Sequence, residues 1–246
     1  AEKWQLQISY GKCGFINLCN TSSTINCCYN INANILQQQT SVCDLGVNID
    51  ERSNFSSHID IIRRKAHTRA NLILRCFLPK NCDSLLKAFK VYVRPLLEYC
   101  SVIWSPVLVK DINALEIVQR QFTKRMPGMS NLTYPQRILK LNIESLEIRR
   151  LRFDSTFTYK LMFGIYKLKV SDYFTARNNN ILLRGHEHCI SVPRYSKSVQ
   201  RRNFIIDRIC NVWNNLPVES TSFASVHAFN DSFTSTYLIG YCRINF

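Results

Sequence analysis

The sequence predicts an α+β fold that is mostly α: a small N-terminal β-hairpin and strand region, followed by a helical bundle and further helices. Short apolar segments separated by turn-prone residues fill the first fifty positions, whereas from residue 55 onwards the apolar residues recur with the period of a helix. The 246 residues are 46% hydrophobic, with seven Gly and seven Pro. A chain of this length and composition can bury a core.

The N-terminal region is predicted to be rich in strands. Candidate strands occupy residues 4–8, 15–18, 24–25, 29–31 and 35–36. The turn-prone Asn32, Ala33 and Asn34 predict a hairpin between the last two. Residues 42–50 are predicted as one more strand, in which Gly46 marks a close approach of another backbone or a ligand.

Three helices are predicted between residues 55 and 126. One face of the first carries Ile59, Ile62, Ala66, Ala70, Ile73 and Phe77, and another carries Arg63, His67, Asn71 and Arg75. The second covers about 84–104 and contains Pro95, which predicts a kink or a break. The third covers about 111–126 and is stopped by Pro127 and Gly128.

Five segments after residue 130 complete the prediction. Thr133 and Gln136 form a capping-box pattern that opens a short helix. A long helix is predicted over 145–168, and another over 202–216 that ends at Pro217. Residues 171–200 are irregular and basic, with 177–180 as the predicted flexible point, and a short helix is predicted near 225–233.

The charge balance indicates a polyanionic partner. Lys and Arg number 32 against 17 Asp and Glu, a net charge of +15 that is spread over several segments. No apolar run is long enough to span a bilayer, and the chain does not open on a signal-peptide pattern. We therefore expect an intracellular protein, nuclear or cytoplasmic, with no membrane partner. Attachment to an anionic membrane surface is the weaker alternative.

Metal binding and independent catalysis have little support in the sequence. The eleven cysteines contain no C-x-x-C pair, and His186, His188 and Cys189 follow one another too closely for the usual zinc spacing. Reduced, mostly buried thiols are the simpler interpretation. None of the common hydrolase, nucleotide-binding or metalloprotease motifs occurs, so no metal site and no independent enzyme are predicted.

Several segments in a fixed order carry a family resemblance. They are KWQL (3–6), KC (12–13), DLGV (44–47), YVRPLLEYC (92–100), WSP (104–106), LEIVQR (115–120), LEIRRL (146–151), RGH (184–186) and NVWNNLP (211–217). Together they resemble the region that follows the catalytic motif in non-LTR (LINE-type) retrotransposon reverse transcriptases. The resemblance covers nearly the whole chain.

The resemblance implies three parts. Residues 1–50 would be the end of the palm and the primer-grip strand, 51–130 a thumb-like helical domain, and 131–246 a C-terminal helical region. It implies that Lys12 is the palm lysine on the pyrophosphate side, functional only with a complete palm. Otherwise Lys12 is a solvated residue at a strand edge. It further implies that Leu45, Gly46 and Val47 belong to the primer grip.

Polymerisation in this family requires two divalent metal ions held by close carboxylates. The chain contains no adjacent Asp pair, so its catalytic site is absent and no cofactor is expected in this chain. Activity would depend on an upstream palm and fingers. The predicted function is therefore that of a C-terminal fragment of an RNA-directed DNA polymerase, whose residual role is to grip RNA, an RNA–DNA hybrid or duplex DNA.

Basic residues on helices are the candidate nucleic-acid contacts. They are Arg63, Arg64, Lys65 and Arg69 on the first helix and Lys110, Arg120, Lys124 and Arg125 on the third. Arg149, Arg150, Arg152, Arg201 and Arg202 form a weaker group. Trp104 and Trp213 fall on apolar faces and are predicted to pack in the core. The alternative is an inactive relic or a helical protein-interaction module with no nucleic-acid role.

Overall fold

The computed structural model of the protein describes residues 9–18, 28–76, 81–174, 186–191, 204–217, 221–232 and 235–244. Within these ranges helices dominate and the strands are short, which confirms the predicted α+β, mostly α class. The chain divides into two compact units, 1–58 and 59–246. The strands predicted at 4–8 and 24–25 and the flexible point predicted at 177–180 lie outside the described residues.

The first unit is built from short strand pairs. β1 (Gly14–Phe15) pairs in parallel with β4 (Gln37–Gln38), and β2 (Asn30–Ile31) pairs antiparallel with β3 (Asn34–Ile35). The turn between β2 and β3 has positive φ at both of its residues, which confirms the predicted hairpin. The strand predicted at 15–18 is wrong beyond its first residue, because the hydrogen-bonded pairing ends there.

The strand predicted over 42–50 is also wrong, because this segment is a hairpin. β5 (Ser41–Asp44) pairs antiparallel with β6 (Val47–Asp50) around a two-residue turn. The turn residues Leu45 and Gly46 have φ of 45° and 87°, which is the left-handed backbone that a tight hairpin turn requires. Gly46 therefore serves the turn, and the close approach of a ligand or a second backbone at this position stays a prediction.

The second unit begins within helix α1 (Ser56–Cys76), which matches the first predicted helix. The second predicted helix is divided into α2 (Cys82–Ala88), a π-helical turn over 89–93, α3 (Arg94–Glu98) and α4 (Ser101–Trp104). Pro95 cannot donate an N–H to the preceding turn, and the helical register changes immediately before it. The break predicted at Pro95 is confirmed.

Helices α5 (Val109–Lys124), α6 (Tyr134–Leu141) and α7 (Leu146–Met162) follow. The predicted capping box is present, since the Thr133 N–H donates to Gln136 Oε1 at 2.8 Å. α7 ends at Met162, six residues before the predicted end near 168. Gly164, at φ +66°, adopts the left-handed conformation that terminates helices.

Helices α8 (Ile205–Asn214), α9 (Val226–Ser232) and α10 (Ser235–Ile239) pack against α7. The helices predicted at 202–216 and 225–233 are thus present, the first described from Ile205 onwards. Their shared core is aromatic and aliphatic. It includes Tyr159, Leu161, Ile209, Trp213, Phe229 and Leu238, all nearly inaccessible to solvent. The predicted boundary at residue 130 lies inside this unit, where α5 contacts both α6 and α7.

Candidate nucleic-acid interface

Helix α1 buries one face and presents cations on two separate flanks. Ile59, Ile62, Ala66, Ala70 and Ile73 are buried, as predicted from their spacing. Arg64 and Arg75 lie on the same flank as Asn71, since these positions are seven and four residues apart. Lys65 and Arg69 are also exposed, but they lie on the other flank, about 120° and 160° round the helix from Asn71.

The end of α5 joins only one of these two flanks. Arg125, the residue that follows α5, donates from Nη1 to Asn71 Oδ1 at 2.6 Å. This bond crosses 54 residues of sequence and places the Arg125 guanidinium beside α1. The combined surface is called the cationic strip below. It comprises Arg64, His67, Asn71 and Arg75 of α1, together with Arg125.

The strip has a spacing that suits a phosphate backbone. Arg64 and Arg75 are separated by eleven residues of continuous helix, which is roughly 16 Å along the axis. That length corresponds to about five phosphates of one strand of a duplex. His67 lies between them with a pKa lowered by burial and by the charge of Arg63, so the imidazole is neutral at pH 7.

Acidic residues compensate only the beginning of α1. Asp60 pairs with Arg63 Nη2 at 2.5 Å and with Arg64 Nη2 at 3.0 Å. The hydrogen bond from Arg63, together with the charge of Arg64, lowers the pKa of the Asp60 carboxyl. Arg63 and Arg64 are therefore compensated by the Asp60 carboxylate. From residue 61 to 82 the sequence contains no Asp or Glu, and the same holds from 117 to 143.

The predicted cations of α5 do not form one group. Lys110 and Lys124 are both exposed, but fourteen helical residues, roughly 21 Å, separate them. Lys124 directly precedes Arg125, which belongs to the cationic strip. Arg120 is half-buried and stacks over the Tyr134 ring, with its guanidinium carbon 5.0 Å from the ring centroid. Arg120, predicted as a nucleic-acid contact, is therefore only partly accessible to a ligand.

A buried polar network beneath Arg120 was missed by sequence reasoning. Glu116 is fully buried and accepts hydrogen bonds from the Tyr134 hydroxyl and from the Leu146 N–H. Burial raises the pKa of Glu116 above its usual range and also raises that of the Tyr134 hydroxyl. Gln119 donates to the same hydroxyl at 3.0 Å. The helical spacing of Glu116 and Gln119 on the apolar face of α5 is the signal that could have revealed this network.

The second predicted basic group lies inside the unit. Arg149 binds Glu98, and Arg152 Nη2 donates to Glu144 at 2.5 Å. Arg150 is only 2% exposed, and burial lowers the pKa of its guanidinium. Arg149 and Arg152 are therefore engaged in ion pairs within the unit and Arg150 is buried, so the three do not form a phosphate-binding face. Residues 201 and 202, the other two members of the predicted group, lie outside the described residues.

The residues assigned to the palm by resemblance belong to the first unit. Lys12 is exposed and ends a short 3₁₀ helix (Tyr10–Lys12), so the strand-edge alternative for it is wrong. Leu45 and Gly46 form the tight turn described above, and the Leu45 side chain is 83% exposed. Val47, the first residue of β6, is 3% exposed. The roles of these residues in catalysis and primer binding stay predictions.

Trp104 and Trp213 are both packed in the core, as predicted. Trp104 is 1% exposed and its indole N–H donates to the Tyr99 carbonyl at 2.7 Å. Trp213 is fully buried and donates to the His188 carbonyl at 2.8 Å. Their rings are therefore not accessible for stacking on bases.

The His186, His188 and Cys189 segment packs against the aromatic core. His186 Nε2 lies 2.8 Å from the Trp213 carbonyl oxygen, and burial lowers the pKa of the imidazole. Across the parts of the chain that the structure describes, no three His, Cys, Asp or Glu side chains are grouped so that they could hold a metal ion. No helix in those parts is both long and apolar enough to cross a bilayer.

No protein-family model matches the chain, and no solved structure matches it. The chain is 30% identical over 113 residues to a Caenorhabditis elegans protein, Uncharacterized protein B0403.1. The match covers 45% of this chain and 57% of that protein, so the chain spans little more than half of the relative's length.

Proposed function

We propose that this chain is the C-terminal part of a non-LTR retrotransposon reverse transcriptase and that it grips an RNA–DNA or DNA duplex along the cationic strip. The chain supplies no polymerase carboxylates, so it does not polymerise on its own. Two divalent metal ions would belong to the upstream palm of the intact enzyme. The ordered series of family-like segments supports the polymerase origin.

The single observation that carries the binding proposal is the bond between Arg125 and Asn71. It brings a cation from the end of α5 onto the flank of α1 that already carries Arg64 and Arg75. Flexible cations over a rigid, apolar-anchored helix supply phosphate contacts that are independent of base sequence. The opposite flank, with Lys65 and Arg69, receives no comparable hydrogen bond from Arg125.

The two flanks provide a matched experiment. Fluorescence anisotropy with a labelled RNA–DNA duplex would measure affinity from about 50 to 200 mM salt. Arg75→Ala combined with Arg125→Ala removes two cations from the strip, and the slope of log K against log salt should fall by about 1.8. Lys65→Ala combined with Arg69→Ala removes the same charge from the opposite flank and should leave the slope unchanged.

Two results would contradict the binding proposal. Affinity of the unmodified protein that does not change with salt would exclude phosphate binding. Equal losses in the two double variants would show that net charge acts without regard to the strip. Circular dichroism of each variant would confirm that the helices remain folded, since all four substituted positions are exposed.

The polymerase origin has an independent test. Sequencing the transcript towards its 5′ end would extend the reading frame ahead of Ala1. An in-frame Tyr-x-Asp-Asp motif is expected there, with a further Asp upstream of it. A stop codon or an unrelated exon directly ahead would contradict a working polymerase and favour the alternative of an inactive relic, while the binding experiment would stand by itself.

A further inference from the structure

A second surface feature lies in the helical unit, away from the residues of the cationic strip. It is an open groove of about 960 Å³ lined by the π-helical turn, α3, α6, the start of α7, α10 and the residues after it. Its lining combines aliphatic and basic side chains. Such a mixture of apolar walls with a few placed charges is typical of a binding site.

The groove carries a surplus of positive charge. Glu98 pairs with Arg149 and lies 3.7 Å from Arg94 Nε, while Glu144 pairs with Arg152. Lys90 also lines the groove, and no carboxylate of the described chain lies within ion-pair distance of its ammonium group. Among the described lining residues, the cations Lys90, Arg94 and Arg149 thus stand against the carboxylate of Glu144. The local net charge is +2, which favours an acidic occupant.

The apolar lining is exposed to an unusual degree. Leu139 on α6 and Ile239 on α10 are 83% and 57% exposed, and both line the groove together with Ile138 and Ile143. Large aliphatic side chains that share a concave surface mark an interaction site more often than isolated exposed residues do. An occupant therefore needs aliphatic anchors as well as negative charge.

We infer that the groove binds an acidic amphipathic helix of a protein partner, with aliphatic side chains between Leu139 and Ile239 and carboxylates against Lys90 and Arg94. Helices present anchors at positions i, i+3, i+4 and i+7 to such grooves. None of the described lining residues belongs to a strand, so they offer no sheet edge to which a β-strand could add. This inference is independent of the function proposed above.

Two other anionic partners fit the lining less well. Single-stranded nucleic acid is held by stacking on aromatic side chains, and none of the described residues that line the groove is aromatic. An anionic bilayer presents a flat surface, whereas the lining of the groove is concave. Leu139 lies in a wall of the groove, where a flat surface would not reach all of the lining. A helical peptide meets both the shape and the charge of the groove.

The probe is a fluorescein-labelled helical peptide of about fourteen residues, roughly 21 Å long, with leucines at i, i+3, i+4 and i+7 and glutamates elsewhere. A second peptide of equal composition has its leucines in scrambled order. Binding to the full chain is measured by anisotropy. Leu139→Glu and Lys90→Glu test the groove, and Leu72→Glu and Lys65→Glu on α1 provide matched changes of residue type and charge.

We expect the patterned peptide to bind better than the scrambled one, and its affinity to fall by about tenfold or more in both groove variants and less than about twofold in the α1 variants. Absence of saturable binding, or equal effects of groove and α1 variants, would overturn the inference. Oligoadenylate and phosphatidylserine vesicles are tested in parallel. Binding of either that is lost in the groove variants, without binding of the peptide, would overturn it as well.

Discussion

Arg208 and Asp154 form a bidentate ion pair that ties α8 to α7 across 54 residues of sequence. Arg208 Nε donates to Asp154 Oδ2 at 2.7 Å and Nη2 donates to Oδ1 at 3.0 Å. Nη2 also donates to the Val102 carbonyl at 2.7 Å, so the same guanidinium reaches α4. The Asp154 side chain is 1% exposed and that of Arg208 7%. The pair therefore lies in the interior, where three helices meet.

Asp154→Ala should destabilise the protein strongly, because it leaves the Arg208 guanidinium buried without its carboxylate. The expected loss of unfolding free energy is about 3–5 kcal/mol, measured by urea denaturation. Asp231→Ala is the control, since its carboxylate pairs with His227 on the surface and should contribute less than about 1 kcal/mol.

The double variant Asp154→Leu with Arg208→Met removes both charges and keeps the volume. Its loss of stability should be smaller than that of Asp154→Ala alone, because no charge remains buried without a partner. A small loss in Asp154→Ala, similar to that of the surface control, would contradict the assigned role of this pair.

The sequence predicted the features that depend on short-range patterns. The buried face of α1 follows from the spacing of Ile59, Ile62 and Ala66, and the start of α6 follows from the pairing of Thr133 with Gln136 three residues later. The break at Pro95 follows from a missing N–H. Each of these signals acts within one or two helical turns.

The wrong predictions concern residues whose placement depends on backbone conformation or on partners that are distant in sequence. The tight turn between β5 and β6 has positive φ at both of its residues, which Asn, Asp or Gly usually adopt. Its first residue is Leu45, for which a positive φ is uncommon, so only Gly46 indicates the turn in the sequence. Arg149 was predicted to lie on a basic surface, yet its partner Glu98 is 51 residues away in sequence. The two flanks of α1 are distinguished only in the folded structure, where Arg125 donates a hydrogen bond to Asn71 on one of them.

Gly164 terminates α7 in a conformation that a side chain disfavours. Its φ is +66°, and a Cβ placed there meets no atom within 4 Å, so the cost of Gly164→Ala is one of backbone strain alone. The expected destabilisation is about 1 kcal/mol, which thermal denaturation would measure.

Two further variants give that prediction its controls. Gly164→Asn should cost less than Gly164→Ala, because asparagine tolerates the left-handed region. Gly240→Ala adds the same methyl group in the same unit, at ordinary contact distance from the Tyr237 carbonyl and without a positive φ, and should be nearly neutral. Equal losses at positions 164 and 240 would show that strain at the end of α7 is not the cause.

Glu144 should contribute stability that depends on pH. Burial by itself would raise the pKa of this carboxyl, but hydrogen bonds from Arg152 at 2.5 Å and Ser235 at 2.6 Å lower it below its ordinary value of 4.5. The folded state therefore favours the ionised form. The resulting stability is present above about pH 4.5 and is lost as pH falls through the lowered pKa of the folded state.

Glu144→Gln should consequently lower the unfolding free energy near pH 7, and the difference from the unmodified protein should shrink as the pH falls below about 4.5. Urea denaturation at a series of pH values between about 3 and 7 would measure this difference. Glu187→Gln is the control, because the Glu187 side chain is 82% exposed and should show no such trend. A difference for Glu144→Gln that stays constant across the series would mean that the ionised carboxylate is not what Arg152 and Ser235 stabilise.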